Sequence, residues 1–450
     1  MAPGLPVPSL LSEDAAGIAV PPTDQTHYGI AAGVGETDNV NLSSTNPKSQ
    51  TLAAADLDFA LTRSGSRLDA SALGNFTDIN YLQHAYGNQL LGRFDGLATA
   101  KLWSDRLKWL VRDDYGDAQI DPFAAVTPTN LQRENVFTTG PDLTLRPSER
   151  SFIELEALYG RTTYQTSPFD ENTGSGSIAV GRQLSALSSL SLVGQAEAQR
   201  FNNTTLNTNY DRRELYGKYQ ARGARTQLSA QLGATQANDT GSWTTTPLVR
   251  LSLMRQISPF SSVTLGGGRE YTDAAGAFGA LRAGAAGGIA VGGVAQTTAN
   301  YLRNYASAGW MFSRLRTSFG LTGSWERDTY DRQAIYDSTL AGLQAMLGRH
   351  LTPTLSADLT TGVYRTKYLN QGFTDTYGTV GAGVTWRPGR WVEVYARYDH
   401  SFRRTSGPAS LTATGAGYGE NRVFVMIGYR PHSAADEAGA AGGGMPAMAP

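Results

Sequence analysis

Short turn signals recur along this chain at a nearly constant interval, and no other feature of the sequence restricts its fold as strongly. They sit at Ser64-Gly65, Ser104-Asp105, Pro147-Ser148, Ala186-Leu187, Gly223-Ala224, Ser258-Pro259, Arg314-Leu315, Thr352-Pro353 and Pro388-Gly389. Most successive spacings are about 35 to 43 residues; the one longer interval, about 56, contains an Ala/Gly run at 274–295. One hairpin therefore repeats down the chain.

On both sides of each turn, apolar and polar side chains alternate, the period of a strand whose two faces meet different surroundings. Ile153, Leu155, Ala157 and Tyr159 alternate with Glu154 and Glu156, and Val392, Val394, Ala396 and Tyr398 with Glu393, Tyr395 and Arg397. The pattern runs from residue 27 to 430. A soluble sandwich can alternate too, so length decides: globular strands average about 5 to 6 residues, whereas tilted spanning strands need about 9 to 11. These are the long kind. Longer polar connections, at 38–49, Gly116 to Thr129 and Thr405 to Thr412, separate the hairpins. Short turns at one end and long loops at the other predict an all-β fold, a transmembrane antiparallel up-and-down β-barrel of 18–20 strands. Lipid cannot hydrogen-bond the backbone, and closing the sheet satisfies every strand.

Composition agrees with a membrane barrel. Only 17% of residues are charged, against about 25% in soluble chains, and Gly (51) and Tyr (21) take up the difference. Lys plus Arg is 38 and Asp plus Glu 39, a net charge of −1, so no basic field attracts nucleic acid. Cysteine is absent, which excludes disulfides and thiolate-held metals. No stretch of about 20 apolar residues forms a spanning helix. Residues 1–26 read as a flexible periplasmic leader, with the signal peptide taken as removed from the given chain, and 431–450 as a disordered Ala/Gly/Pro-rich tail. The expected location is the bacterial outer membrane.

Arginines bracket the short turns: Arg63 and Arg67, Arg146 and Arg150, Arg222 and Arg225, Arg314 and Arg316, Arg387 and Arg390. Snorkelling to inner-leaflet phosphates is their favoured role, with a basic periplasmic rim as the functional one. If the apolar parity faces lipid, the other parity lines the lumen, and there Arg93, Asp95, Arg112, Glu154, Glu156, Arg212, Glu214, Tyr216, Lys218, Glu393, Tyr395 and Arg397 stand out. Asp399-His400 is the only tempting catalytic pair, and neighbouring strand residues point to opposite faces. Neither a metal site, a cofactor nor an enzymatic activity is expected. The run at 274–295 is the candidate constriction.

The string ETDNVNL (Glu36 to Leu42), closing the strand GIAAGVG, the hairpin DLDFALTRSGSRLDASALGNF (56–76) and the DPF of Asp121 to Phe123 together resemble the proteobacterial exopolysaccharide-associated outer-membrane barrels, including those linked to PEP-CTERM systems. The resemblance covers about the first 130 residues. It implies a passive, nucleotide-independent conduit for export of a secreted exopolysaccharide. The implied partners are outer-membrane lipid, the polysaccharide, and periplasmic export or inner-membrane synthase components. A general or sugar-selective diffusion porin is the alternative.

Overall fold

The structure, a computed structural model, describes residues 25–103, 106–205, 207–238, 241–276, 299–407 and 417–431. The strands are β1 (Gln25–Thr37), β2 (Gln50–Ser64), β3 (Leu68–Tyr81), β4 (Gln89–Trp103), β5 (Leu107–Gln119), β6 (Leu131–Leu145), β7 (Ser151–Tyr164), β8 (Glu171–Ser185), β9 (Ser188–Phe201) and β10 (Tyr210–Arg222). They continue as β11 (Thr226–Asn238), β12 (Thr244–Ser258), β13 (Ser261–Thr272), β14 (Tyr301–Arg314), β15 (Thr317–Tyr330), β16 (Ser338–His350), β17 (Leu355–Tyr368), β18 (Phe373–Trp386), β19 (Val392–Ser406) and β20 (Tyr418–Tyr429). Each pairs antiparallel with its neighbours in sequence, and β1 pairs with β20 from Ile30↔Tyr429 to Thr37↔Arg422. The 20-stranded sheet therefore closes and has no free edge.

Eight of the nine turn signals lie at the junction of the two strands of a hairpin, from β2–β3 to β18–β19, and Ser104-Asp105 lies outside the described residues. Two loops begin later than the sequence suggested. β5 continues through Gly116 to Gln119, because Arg112 and Asp114 join on one face (Nε to Oδ2, 2.6 Å) and give its acidic stretch a ladder to belong to. β19 likewise runs through Thr405 to Ser406.

Opposed residues of an antiparallel pair share a face, so the ladder assigns every side chain. Tyr395 opposes Met426, Met426 opposes Gly33, Gly33 opposes Ala54 and Ala54 opposes Ile79. Tyr395, Met426, Ala54 and Ile79 are buried, which marks this face as the inside. The other face carries Leu57, Leu192, Val425 and Ile427 at 42, 58, 45 and 62% exposure. An apolar belt of that extent requires lipid. A closed barrel wearing it belongs to the bacterial outer membrane, with the longer loops at one rim and the short turns at the other.

The seam is packed from within. Ala31, Leu52, Ala54, Ile79, Tyr81, Phe424 and Met426 form an apolar cluster on the inner face, with Val40 and Tyr86 from two loops completing it. Glycines make the close approach: a Cβ on Gly33 would collide with the Val425 carbonyl and Met426, and one on Gly35 with the Phe424 ring. Each buried aliphatic side chain here contributes about 1.5–3 kcal/mol.

Candidate functional site

The loop between β5 and β6 does not rise away from the barrel; it folds across the mouth. Its base is braced by Asn130, which takes the Asp121 amide on Oδ1 (2.8 Å) and donates through Nδ2 to the carbonyls of Asp121 (2.9 Å) and Ala125 (3.0 Å). Gln119 donates to the Asp121 and Ala124 carbonyls at 2.7 and 3.0 Å. The Asp121 carboxylate accepts the Phe123 amide at 2.9 Å, an Asx turn that pushes Pro122 and Phe123 out as the tip. A 3-10 turn, Pro128–Asn130, closes the loop.

The tip lands on a distant wall. The Phe123 ring stacks on Tyr336 (centroids 5.5 Å apart, planes 3° apart) and meets Tyr368 and Phe373 edge-on at 5.0 and 5.9 Å, the geometries that aromatic quadrupoles favour. Its carbonyl accepts from Arg403 Nη2 at 2.6 Å, and the Pro122 carbonyl from the Tyr368 hydroxyl at 3.3 Å. Arg403 is buried and held by Asp375 (2.6 Å), whose other oxygen accepts from Thr405. Between the β5–β6 hairpin and these partners on β17, β18 and β19 lie β20 and β1 to β4. The loop is therefore a chord across the barrel.

Other loops extend the bridge. Tyr336 lies in the β15–β16 loop, where Arg332 reaches Thr208 of the β9–β10 loop (2.7 Å), and Asn207 in turn donates to the Pro168 carbonyl at 2.8 Å. Burial, with the Asp121 carboxylate close by, pushes the Tyr336 phenol above its ordinary value. It stays a neutral hydroxyl under the stack.

The twelve charged and tyrosine residues read from strand parity all lie on the inner face, because the ladder carries the parity of Arg397 round the whole ring. They do not converge on one site. Arg93 pairs with Asp95 (2.7 Å), Arg112 with Asp114, Arg212 with Glu197 (2.9 Å) and Glu214 with Arg250 (3.0 Å). Glu393 takes Arg387 at 2.7 Å. Arg397 holds Asp358 and Asp399 at 2.9 and 2.8 Å and donates to the Tyr395 hydroxyl at 3.2 Å. Glu154, Glu156, Tyr216 and Lys218 stand on the same inner face of β7 and β10. Of the turn-flanking arginines, Arg314 lies over the Phe260 ring, 5.3 Å from its centroid. Asp399 turns inward to Arg397, whereas His400 faces outward and meets Asn421 through Nδ1 at 2.9 Å, so the two do not form a dyad. Among the described residues no three His, Asp or Glu side chains converge to hold a metal.

Residues 277–295 of the run at 274–295 lie outside the described residues, as do 296–298, 1–24 and 432–450. Just before it, Asp273 accepts from the Tyr210 hydroxyl (2.5 Å), and Arg212 donates to the Tyr271 carbonyl at 2.8 Å. The crossing loop at 120–130 was not singled out as a gate by the sequence. The one local signal was an aromatic after a proline, Asp121-Pro122-Phe123, inside an otherwise polar connection.

No family model and no curated protein matches the chain. Solved structures similar to it include the siderophore receptor PirA from Acinetobacter baumannii, 8% identical with a TM-score of 0.49, covering 91% of this chain and 81% of that one. A mutant of the ferric enterobactin receptor PfeA from Pseudomonas aeruginosa (8%, TM-score 0.45) covers 91% and 81%, and the iron transporter FrpB from Neisseria meningitidis (8%, TM-score 0.43) covers 90% and 81%.

The expected passive conduit for exopolysaccharide, its diffusion-porin alternative and the polysaccharide partner are corrected here: the similar structures are named as siderophore receptors and an iron transporter, and none is named as an export conduit or a porin. The physical reason is visible in the barrel itself. A free conduit needs an unobstructed bore, and here a braced loop spans the mouth and is fastened to the far wall by a buried arginine.

Proposed function

We propose that the protein is a gated outer-membrane transporter, in which a ligand arriving from the cell exterior must displace the Asp121-Pro122-Phe123 tip before the bore opens. The observation that carries this reading is the seating of Phe123 against Tyr336, Tyr368 and Phe373 with its carbonyl on Arg403. A ligand that competes for that seat needs a planar ring to replace the Phe123 ring and an oxygen acceptor to occupy Arg403. Aromatic carboxylates and catechol-type chelators combine the two. The buried Arg403–Asp375 pair keeps the guanidinium oriented when the tip leaves.

The test is single-channel conductance of the full chain in planar bilayers. The parent protein should conduct rarely, and Phe123→Ala should raise its open time severalfold. Dihydroxybenzoate added on the loop side should raise the parent's open time and leave that of the variant unchanged. A parent chain that is permanently open, with conductance equal to that of Phe123→Ala, overturns the reading. Ferric enterobactin, named with the similar PfeA structures, is a second probe for the same assay.

A further inference from the structure

The outward face carries charge at the loop end, and the charge is unevenly distributed. On one arc the ladder sets Arg269, Asn304, Arg327, Thr339 and Lys367 in a single row across β13 to β17. A second row, one step nearer the turns, sets Arg365, Thr376 and Arg404 across β17 to β19. No outward position of β14 to β19 is Asp or Glu. The arc that follows across β20 is the reverse: Glu36, Asp78 and Asp117 face outward near the loop ends of β1, β3 and β5, and Asp113 faces outward midway along β5.

Four of the cations, Arg327, Arg365, Lys367 and Arg404, are exposed. Among the described residues none of them forms an ion pair; Arg404 lies over the Phe402 ring, 5.3 Å from its centroid. Three of them stand at the edge of the apolar belt, two residues beyond an outward hydrophobic side chain: Trp325 before Arg327, Val363 before Arg365, and Phe402 before Arg404; Lys367 lies one outward step beyond Arg365. Trp325 and Val363 are 42 and 45% exposed. Neighbouring strands lie about 4.8 Å apart, so Arg327 and Lys367, and likewise Arg365 and Arg404, are separated by roughly 10 Å, and the whole row from β15 to β19 spans about 19 Å, the scale of a headgroup carrying two phosphates.

A guanidinium at the edge of hydrocarbon, with no carboxylate on its own arc, is partly desolvated and uncompensated. Its natural complement is a phosphate, which Arg binds through two parallel N–H donors. We propose that Arg327, Arg365, Lys367 and Arg404 form a binding site for the phosphate-bearing headgroup of an outer-leaflet lipid. The acyl chains of that lipid would lie on the outward faces of β15 to β19. The site lies outside the barrel and is independent of the gating role proposed above.

Native mass spectrometry of the full chain in neutral detergent tests the proposal, with bisphosphorylated lipid A as the probe. Its dephosphorylated counterpart and inorganic phosphate serve as the other two arms. The parent should retain lipid A, and R327Q/R365Q/K367Q/R404Q should lose affinity about tenfold or more, since each basic group near a charged membrane surface contributes a several-fold factor. The charge-keeping R327K/R365K/R404K should stay within about threefold of the parent, and Glu36→Gln with Asp78→Asn should change nothing. If the quadruple variant fails the heat-mobility assay for a folded barrel, Arg365→Gln with Lys367→Gln carries the test, with a loss of about fivefold. Unchanged retention in a folded variant overturns the site. Equal retention of the dephosphorylated lipid, or displacement by millimolar inorganic phosphate, overturns the assignment to a lipid phosphate.

Discussion

The loop end and the turn end of the tube are built from the same alternating strands, yet their inner walls are filled differently. Near the loops, inward residues such as Gln132, Glu134, Asp375 and Arg403 are buried. Near the turns, the inward Gln183, Arg222, Gln227 and Ser252 are exposed. Strand parity is identical at both ends; the difference comes from connections that fold inward at one rim and are too short to do so at the other. Alternation fixes which side a residue faces, and the loops decide whether that side is wet.

The contrast breaks most readily at Arg403. Arg403→Met leaves the buried Asp375 carboxylate without its partner and should cost about 3–5 kcal/mol of stability. Arg222→Met, at the open end, should change stability by no more than about 0.5 kcal/mol. Urea unfolding of both variants in detergent, followed by electrophoretic mobility, checks this. Equal losses would mean the two ends are not distinct in energy.

A smaller effect sharpens the comparison at the turn end. Leu315 holds φ at 52°, a left-handed conformation that costs a residue with a Cβ, and it is 79% exposed. Leu315→Gly should stabilise the barrel by about 0.5–1 kcal/mol after the loss of backbone restraint is counted. The same unfolding series detects it, and a net destabilisation would show that the leucine packs on the turn.

The smallest effect belongs to the latch. The Tyr336 phenol is raised in the seated state, chiefly by burial, so seating favours the neutral form. That contribution is intact below the ordinary phenol value and declines as pH climbs through the raised one. Open time should therefore grow on the alkaline side in the parent protein. Tyr336→Phe keeps the stack and should flatten that rise, and identical pH curves would remove Tyr336 from the latch.

Much of this was legible in the sequence. The nine turns, the strand count at the upper end of its range and the closed sheet follow from local periodicity, because turn chemistry and alternation act over a few residues. β5 was cut short at Gly116, although its acidic residues keep the strand's alternation, Asp114 turning inward to Arg112 and Asp113 and Asp117 outward. The latch was out of reach for a different reason. Phe123 meets Tyr368 and Arg403 across about 245 and 280 residues of chain, and nothing near position 123 encodes which of several loops bends inward. The outward basic rows were equally hidden, since Arg327, Lys367 and Arg404 become neighbours only through the register.

The seam between β1 and β20 governs the order of assembly. The first strand to be made finds its second partner only when the last one arrives, so the earliest hairpins must wait with one side unbonded until synthesis is nearly done. A chain released short of Tyr418 could not zip shut, and its unpaired border would invite a second copy to adhere. Such a protein depends on being chaperoned as an open ribbon and delivered whole to the membrane.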